Sequence, residues 1–308
     1  MDFKGRDILS TEDLSKQDIL DIMRVSSDME KLKKEKGVAD LLADKVIAVL
    51  FMEPSTRTRL SFEAAVQSLG ARSIGVSDPK TSSAAKGETL VDMAKTVAGY
   101  VDAIVIRQPQ TGGAKEMADA VDVPIINGGD GAGQHPTQAL LDLYTIQKEK
   151  GTIENLKIAM VGDLKNGRTV HSLAYALDEF NPEFIFCAPD ALQMPEGIIS
   201  DMKAKGIKCT LTSDIEVALK SDILYMTRIQ KERFADPSEY EKHKGAYVLN
   251  RKLIEKVNPG VFIMHPLPRV DEIATDVDDL PSAAYFRQAH NGVFLRMALL
   301  ALVTGRAK

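Results

Sequence analysis

Short apolar runs alternate with stretches of helical periodicity almost from end to end, and this alternation restricts the fold more than any other feature of the chain. The runs fall near residues 46–52, 72–76, 102–106 and 123–126, then near 156–162, 184–187, 207–211, 222–226 and 261–264. Helical patterns are read at about 15–35, 58–69, 88–100, 113–121, 136–149 and 287–304. Strands that alternate with helices form parallel sheets covered by those helices. At 308 residues the chain is long for a single core and comfortable as two domains of about 150 residues each. The expected class is therefore α/β, with two open parallel-sheet domains and the active site in the cleft between them. Residues 1–134 with 287–308 would form one domain and residues 135–286 the other. Ligands of such sheets bind at the carboxyl ends of strands, so the residues just after each strand deserve inspection.

Composition removes several alternatives. A formal net charge of -5 argues against a nucleic-acid or anionic-membrane surface, since either partner asks for a basic face. No apolar run reaches the roughly 18 residues of a membrane span. The start, Met1-Asp2-Phe3-Lys4, lacks the apolar core of a signal peptide, so a cytoplasmic location is expected. Cys187 and Cys209 each sit in an apolar stretch without metal-ligand spacing and read as buried free thiols. No metal site and no cofactor is expected.

The first strand runs into Ser55-Thr56-Arg57-Thr58-Arg59, followed by Phe62, Ala65, Val66 and Leu69 at helical spacing. A helix N-terminus offers N–H donors and about half a positive charge, and this one adds three hydroxyls and two guanidinium groups. Capping needs one hydroxyl, so the surplus points to a phosphate-like anion. Arg107 follows another strand, as an edge residue or as a ligand anchor. A glycine-rich stretch from Gly128 to Gly133 leads to His135-Pro136-Thr137-Gln138. Pro136 suits the first helical position, which puts His135 at the cap and Gln138 facing out of the first turn. A helix N-terminus disfavours the imidazolium, so His135 would act as a neutral hydrogen-bond donor unless it is structural. The small, polar stretch Thr81 to Gly87, with Lys86 in it, reads equally as a surface loop or as one reaching over an anion.

In the second half, Gly162-Asp163-Leu164-Lys165-Asn166-Gly167-Arg168 follows a strand and opens a helix. With Thr169 it departs from a nucleotide-binding P-loop at one residue, having arginine where that loop has lysine. The planar fork of arginine suits a carboxylate or one phosphate face, which weakens a nucleoside triphosphate reading and favours another oxyanion. Arg228 and Gln230 follow the strand near 222–226 on one side of an extended segment. The last strand meets His265-Pro266-Leu267-Pro268-Arg269, where two prolines remove donors and leave carbonyls as acceptors. This is either a plain turn or a way to present carbonyls to an NH₂ group. The set suggests clamping of anions and polarisation of a carbonyl, with no covalent nucleophile.

Together, the motifs Ser55 to Arg59, His135 to Gln138 and His265 to Arg269 resemble the aspartate/ornithine carbamoyltransferase family, and the resemblance runs essentially from end to end. The ornithine branch has cysteine after the histidine of the last loop. Pro266 here, with Met226 to Arg233, is similar to the aspartate-specific branch. The resemblance implies transfer of the carbamoyl group of carbamoyl phosphate to L-aspartate, a step of pyrimidine synthesis, with a carbamoyl-phosphate-binding first domain and an aspartate-binding second one. Ser55, Thr56, Arg57, Thr58 and Arg107 would hold the phosphate. Thr58, Arg107 and His135 would polarise the carbamoyl oxygen, while Gln138 and the carbonyls of Leu267 and Pro268 would accept from its NH₂. Arg168, Arg228 and Gln230 would hold the aspartate carboxylates. Ser82 and Lys86 would serve a neighbouring subunit's site, which implies a homotrimer. Glu53 and Arg233 would be partners in domain closure. A regulatory chain carrying its own zinc is a further possible partner in this family, and nothing in this sequence encodes one. Transfer to another amine such as ornithine, or a non-catalytic anion-binding role, are the competing readings.

Overall fold

The computed structural model describes residues 3–76, 83–230, 234 and 236–307. The chain divides into two compact units, one of Met1–Tyr144 with His290–Lys308 and one of Thr145–Ala289. The first holds a parallel sheet in the order β2-β1-β3-β4, from β1 (Val46–Phe51), β2 (Arg72–Val76), β3 (Ala103–Gln108) and β4 (Ile125–Asp130). Its helices are α1 (Lys16–Lys36), α2 (Thr56–Ser68), α3 (Leu90–Ala98) and α4 (Gly113–Ala118), and the unit also takes the start of α5 (Pro136–Lys150). β1 and β3 are buried on both faces, which is why they read as unbroken apolar runs. Helix α2 forms around Phe62, Ala65 and Val66, whose spacing puts them on one buried face. One side of the sheet packs Leu50, Ile104 and Ile106 against Met93 and Met117.

The second unit has a parallel sheet in the order β7-β6-β5-β8-β9, from β5 (Lys157–Val161), β6 (Glu183–Cys187), β7 (Lys208–Thr212), β8 (Ile223–Met226) and β9 (Phe262–Met264). Its helices are α6 (Arg168–Leu177), α7 (Glu196–Ala204), α8 (Ile215–Ala218), α9 (Pro237–His243) and α10 (Arg251–Val257). A core of Val161, Ile185, Leu224, Ile263 and Tyr285 lies on one face. The last helix, α11 (Tyr285–Val303), begins in this unit and ends in the first.

Each sheet has one place where neighbouring strands send their connections to opposite sides. In the first unit it lies between β1 and β3, in the second between β5 and β8. Open α/β sheets bind ligands at such points, outside the carboxyl ends of the strands. Gly162 shows how tightly the second one is built. Its φ is 121°, and a Cβ there would come 2.2 Å from the Thr227 carbonyl oxygen. Only glycine lets the end of β5 pass the end of β8 this closely.

The expected strands are all present, with three differences elsewhere. β4 continues through Gly128 and Gly129 to Asp130, so half of the supposed glycine-rich loop is strand. Cys187 is buried as expected, but Cys209 on the outermost strand of its sheet is half-buried. The division of the chain falls within α5 and α11, at 144/145 and 289/290, later than 134/135 and 286/287. The start of α5 is tied to the first unit by the Tyr144 hydroxyl, which donates to Glu30 of α1 at 2.7 Å.

Candidate active site

In the first unit the chain leaves β1 at Met52 and enters α2 with Ser55 as N-cap residue. Ser55 has extended backbone angles, φ -160° and ψ 91°, yet its side chain makes no capping hydrogen bond. Elsewhere in the chain Ser15, Thr89 and Asn250 each accept from a first-turn N–H in the usual way. Thr58 is buried, Ser55 half-buried, and Thr56 and Arg57 are exposed. Arg59 does not join them: its Nε donates to Glu63 at 2.8 Å, one turn along the helix. The surplus of cations counted from the sequence is therefore one smaller.

Arg107 is no edge residue. It is the penultimate residue of β3, which lies between β1 and β4, and it is buried. Its Nη1 is 3.3 Å from the Gly128 carbonyl oxygen and 3.4 Å from His135 Nε2, while its Nε is 3.3 Å from Glu53 Oε2. Strand β3 thus aims a guanidinium across the ends of β1 and β4. His135 caps α5, its carbonyl accepting from the Gln138 and Ala139 N–H groups. Its ring is buried. Gln138 does not face out of the first turn. It is almost fully buried, and its Nε2 donates to Asp142 Oδ1 at 2.9 Å, which fixes the amide with Oε1 as the end able to accept.

Behind these groups lies Arg296 of α11, which sequence reading did not single out. Burial pulls this guanidinium down to about 10, partly offset by the charge of Asp142 and reinforced by that of Arg107. It remains a cation at neutral pH. It donates to Ser61 at 2.9 Å and lies over the Phe62 ring at 5.0 Å, which anchors α2 from beneath.

In the second unit the same logic places Arg168 at the start of α6, after β5, and Arg228 and Gln230 after β8. All three are half-buried. Asp163 joins the two loops, and sequence reading missed it. Its carboxylate is fully buried and accepts from the Asn166 N–H at 3.0 Å and from the Gln230 N–H at 3.5 Å. Gln230 Nε2 reaches the Asn166 carbonyl at 3.4 Å. Thr227 and Ile229, on either side of Arg228, line a small recess together with Tyr240, Tyr247 and Glu272. Leu267 is half-buried and Pro268 exposed, on the segment that follows β9.

Ser82 and Arg233 lie outside the described residues. Lys86 ends a short 3-10 turn, Ser83–Lys86, and is exposed. Among the described residues no cluster of three or more His, Cys, Asp or Glu side chains could hold a metal ion, and no helix is long and apolar enough to cross a membrane.

Two parallel-sheet units, each with cationic loops at its switch point, define an α/β protein built to bind anionic substrates. Comparison with known proteins is specific. A sequence profile described as the carbamoyl-P binding domain of aspartate/ornithine carbamoyltransferase matches residues 6–148, and the Asp/Orn binding domain matches residues 154–303. The chain belongs to the aspartate/ornithine carbamoyltransferase family. It is 50% identical over 306 residues to the aspartate carbamoyltransferase catalytic subunit of Thermococcus kodakarensis, covering 99% of each chain. The solved catalytic subunit of Methanocaldococcus jannaschii aspartate transcarbamoylase is similar with a TM-score of 0.90 at 52% identity, over 96% of both chains. The Trypanosoma cruzi enzyme, solved with carbamoyl phosphate and aspartate, gives a TM-score of 0.91 at 41% identity over 98% of this chain and 97% of that one.

Proposed function

We infer that this chain transfers the carbamoyl group of carbamoyl phosphate to the amino group of L-aspartate, releasing N-carbamoyl-L-aspartate and phosphate. The observation that carries the choice of acceptor is the position of Arg168 at the start of α6, after β5, and of Arg228 just after β8, in loops that Asp163 links. Two guanidinium groups suit the two carboxylates of aspartate. They would repel the side-chain ammonium of ornithine.

Carbamoyl phosphate is already activated, so no covalent enzyme intermediate is needed. The amine lone pair forms the C–N bond, the C–O bond to phosphorus breaks with its pair going to phosphate, and the amine proton leaves with the phosphate. Ser55, Thr56, Arg57, Thr58 and Arg107 hold the phosphate. Thr58, Arg107 and His135 stabilise the carbamoyl oxygen as negative charge develops on it. Gln138 Oε1 and the carbonyls of Leu267 and Pro268 accept from the carbamoyl NH₂. Arg168, Arg228 and Gln230 bind aspartate. The working form is a homotrimer in which Ser82 and Lys86 complete a neighbour's site, acting in the cytoplasm in pyrimidine synthesis. Consumption of carbamoyl phosphate with aspartate, with ornithine and without amine tests the reading. Product should form with aspartate alone, and turnover with ornithine instead would refute it.

A further inference from the structure

We propose that His265 and Glu272 are positioning residues, which hold the segment carrying the Leu267 and Pro268 carbonyls so that those carbonyls meet the carbamoyl NH₂. The proposal rests on the carbamoyl-transfer reading and adds two residues to it. Acceptors aimed at a reacting group must be held to within about 0.5 Å, and residues 265–272 contain no helix or strand to do this.

Two buried side chains supply the missing order. The Leu267 N–H donates to His265 Nδ1 at 2.7 Å. An accepting Nδ1 has its lone pair free of a proton, so the neutral ring carries its hydrogen on Nε2. That nitrogen lies 2.7 Å from Glu272 Oε1 and donates to it. The other carboxylate oxygen, Oε2, accepts the Val270 and Asp271 N–H groups, each at 3.1 Å. The His265 N–H donates to Gln288 Oε1 of α11 at 2.9 Å, which fastens the device to the scaffold.

The consequence is a full accounting of backbone donors. Pro266 and Pro268 have none, and those of His265, Leu267, Val270 and Asp271 are spent on side chains. Apart from the Arg269 N–H, nothing from 265 to 271 can turn inward to claim the segment's own carbonyls. Leu267 has φ 56°, a conformation that a branched side chain keeps only where its surroundings impose it. The contact to His265 Nδ1 is made in this conformation. His265 and Glu272 are 1% and 6% exposed, so water does not compete for these bonds. Burial pushes the Glu272 carboxyl up, but the hydrogen bond from His265 and those from the backbone outweigh it and leave the group below its ordinary value. It therefore stays ionised as an acceptor for three donors.

The two halves of the imidazole can be separated by substitution. His265→Asn keeps an oxygen able to accept from the Leu267 N–H, two residues ahead, as asparagine does in turns. His265→Gln keeps a donor for Glu272 and loses that acceptor. Misplacing the carbonyls should cost His265→Ala about 10²-fold in kcat/KM for carbamoyl phosphate. Inhibition by inorganic phosphate should be unchanged, because the phosphate contacts belong to the first unit. His265→Asn should recover most of the loss, and His265→Gln clearly less. Equal impairment of the Asn and Gln variants, or weakened phosphate inhibition in step with activity, would reduce the residue to a general structural role. If His265→Ala does not fold, the Asn and Gln pair with thermal melts decides alone. Failure of the wild-type protein to carbamoylate aspartate would overturn the functional reading. Wild-type kinetics in His265→Ala, with an active parent, would overturn only this inference.

Discussion

His135 Nε2 faces Arg107 Nη1 at 3.4 Å. A guanidinium has donors only, so the ring nitrogen opposite it accepts, and the imidazole is neutral in this arrangement. In the proposed reaction the ring would support a developing oxyanion together with Arg107 and would not act as an acid. His135→Ala should lower kcat by about 10²-fold with a modest change in KM for either substrate. A pH–rate profile in which activity requires the protonated ring would contradict this role.

Arg228 should govern the acceptor. Its loop is braced by Asp163 rather than by the substrate, so removing the side chain should leave the rest of the site in place. Arg228→Ala is expected to raise the KM for aspartate and lower kcat strongly, with carbamoyl phosphate binding nearly intact. Steady-state kinetics with each substrate varied in turn decide the matter. An unchanged KM for aspartate is the result that would count against it.

Lys86 is exposed on its own unit, in the chain segment that follows β2, the outermost strand of its sheet. If it completes a neighbour's site, Lys86→Ala and Arg57→Ala chains should each be nearly inactive. Hybrid trimers of the two should regain activity, because some interfaces pair an intact Arg57 with an intact Lys86. The gain should follow the statistics of mixing. Hybrids as dead as their parents, with exchange of chains verified by size analysis, would show that each chain supplies its own loop.

Burial pushes the Cys187 thiol up from its ordinary value of 9.0 to about 11, against a smaller opposing effect of a hydrogen bond with Tyr247. The fold thus favours the protonated thiol. Its contribution to stability is fully present below pH 9 and is lost as pH rises through about 11. At pH 8 a thiol reagent should modify the native protein at the half-buried Cys209 alone, and Cys187 only after unfolding. Mass analysis of labelled peptides would show it, and rapid labelling of native Cys187 would contradict the burial.

The sequence was most legible where chain neighbours decide the outcome. β1, β3 and β5 announce themselves because sheets covered on both faces demand continuous apolar strands. The positions of Arg107, Arg168 and Arg228 were legible too, since each lies at the carboxyl end of such a run or in the loop that follows it. Asp163 was not, because its value lies in accepting from Gln230, 67 residues away. Glu272 is acidic, seven residues beyond His265, and nothing in that spacing says that both are buried and bonded. Arg59 misled in the opposite direction: it shares a motif with Arg57, yet a helical turn hands it to Glu63. The short helices α7 to α10 escaped because one or two turns hold too few apolar positions to establish a period.

The uncapped start of α2 has a thermodynamic corollary. A missing side-chain cap typically costs a helix about 1 kcal/mol, and Ser55 could have supplied one, as Ser15 does for α1. In the proposed reaction the phosphate of the substrate would complete this helix. Binding and local folding are then one equilibrium, and amides in the first turn of α2 should exchange with solvent more slowly as phosphate is added.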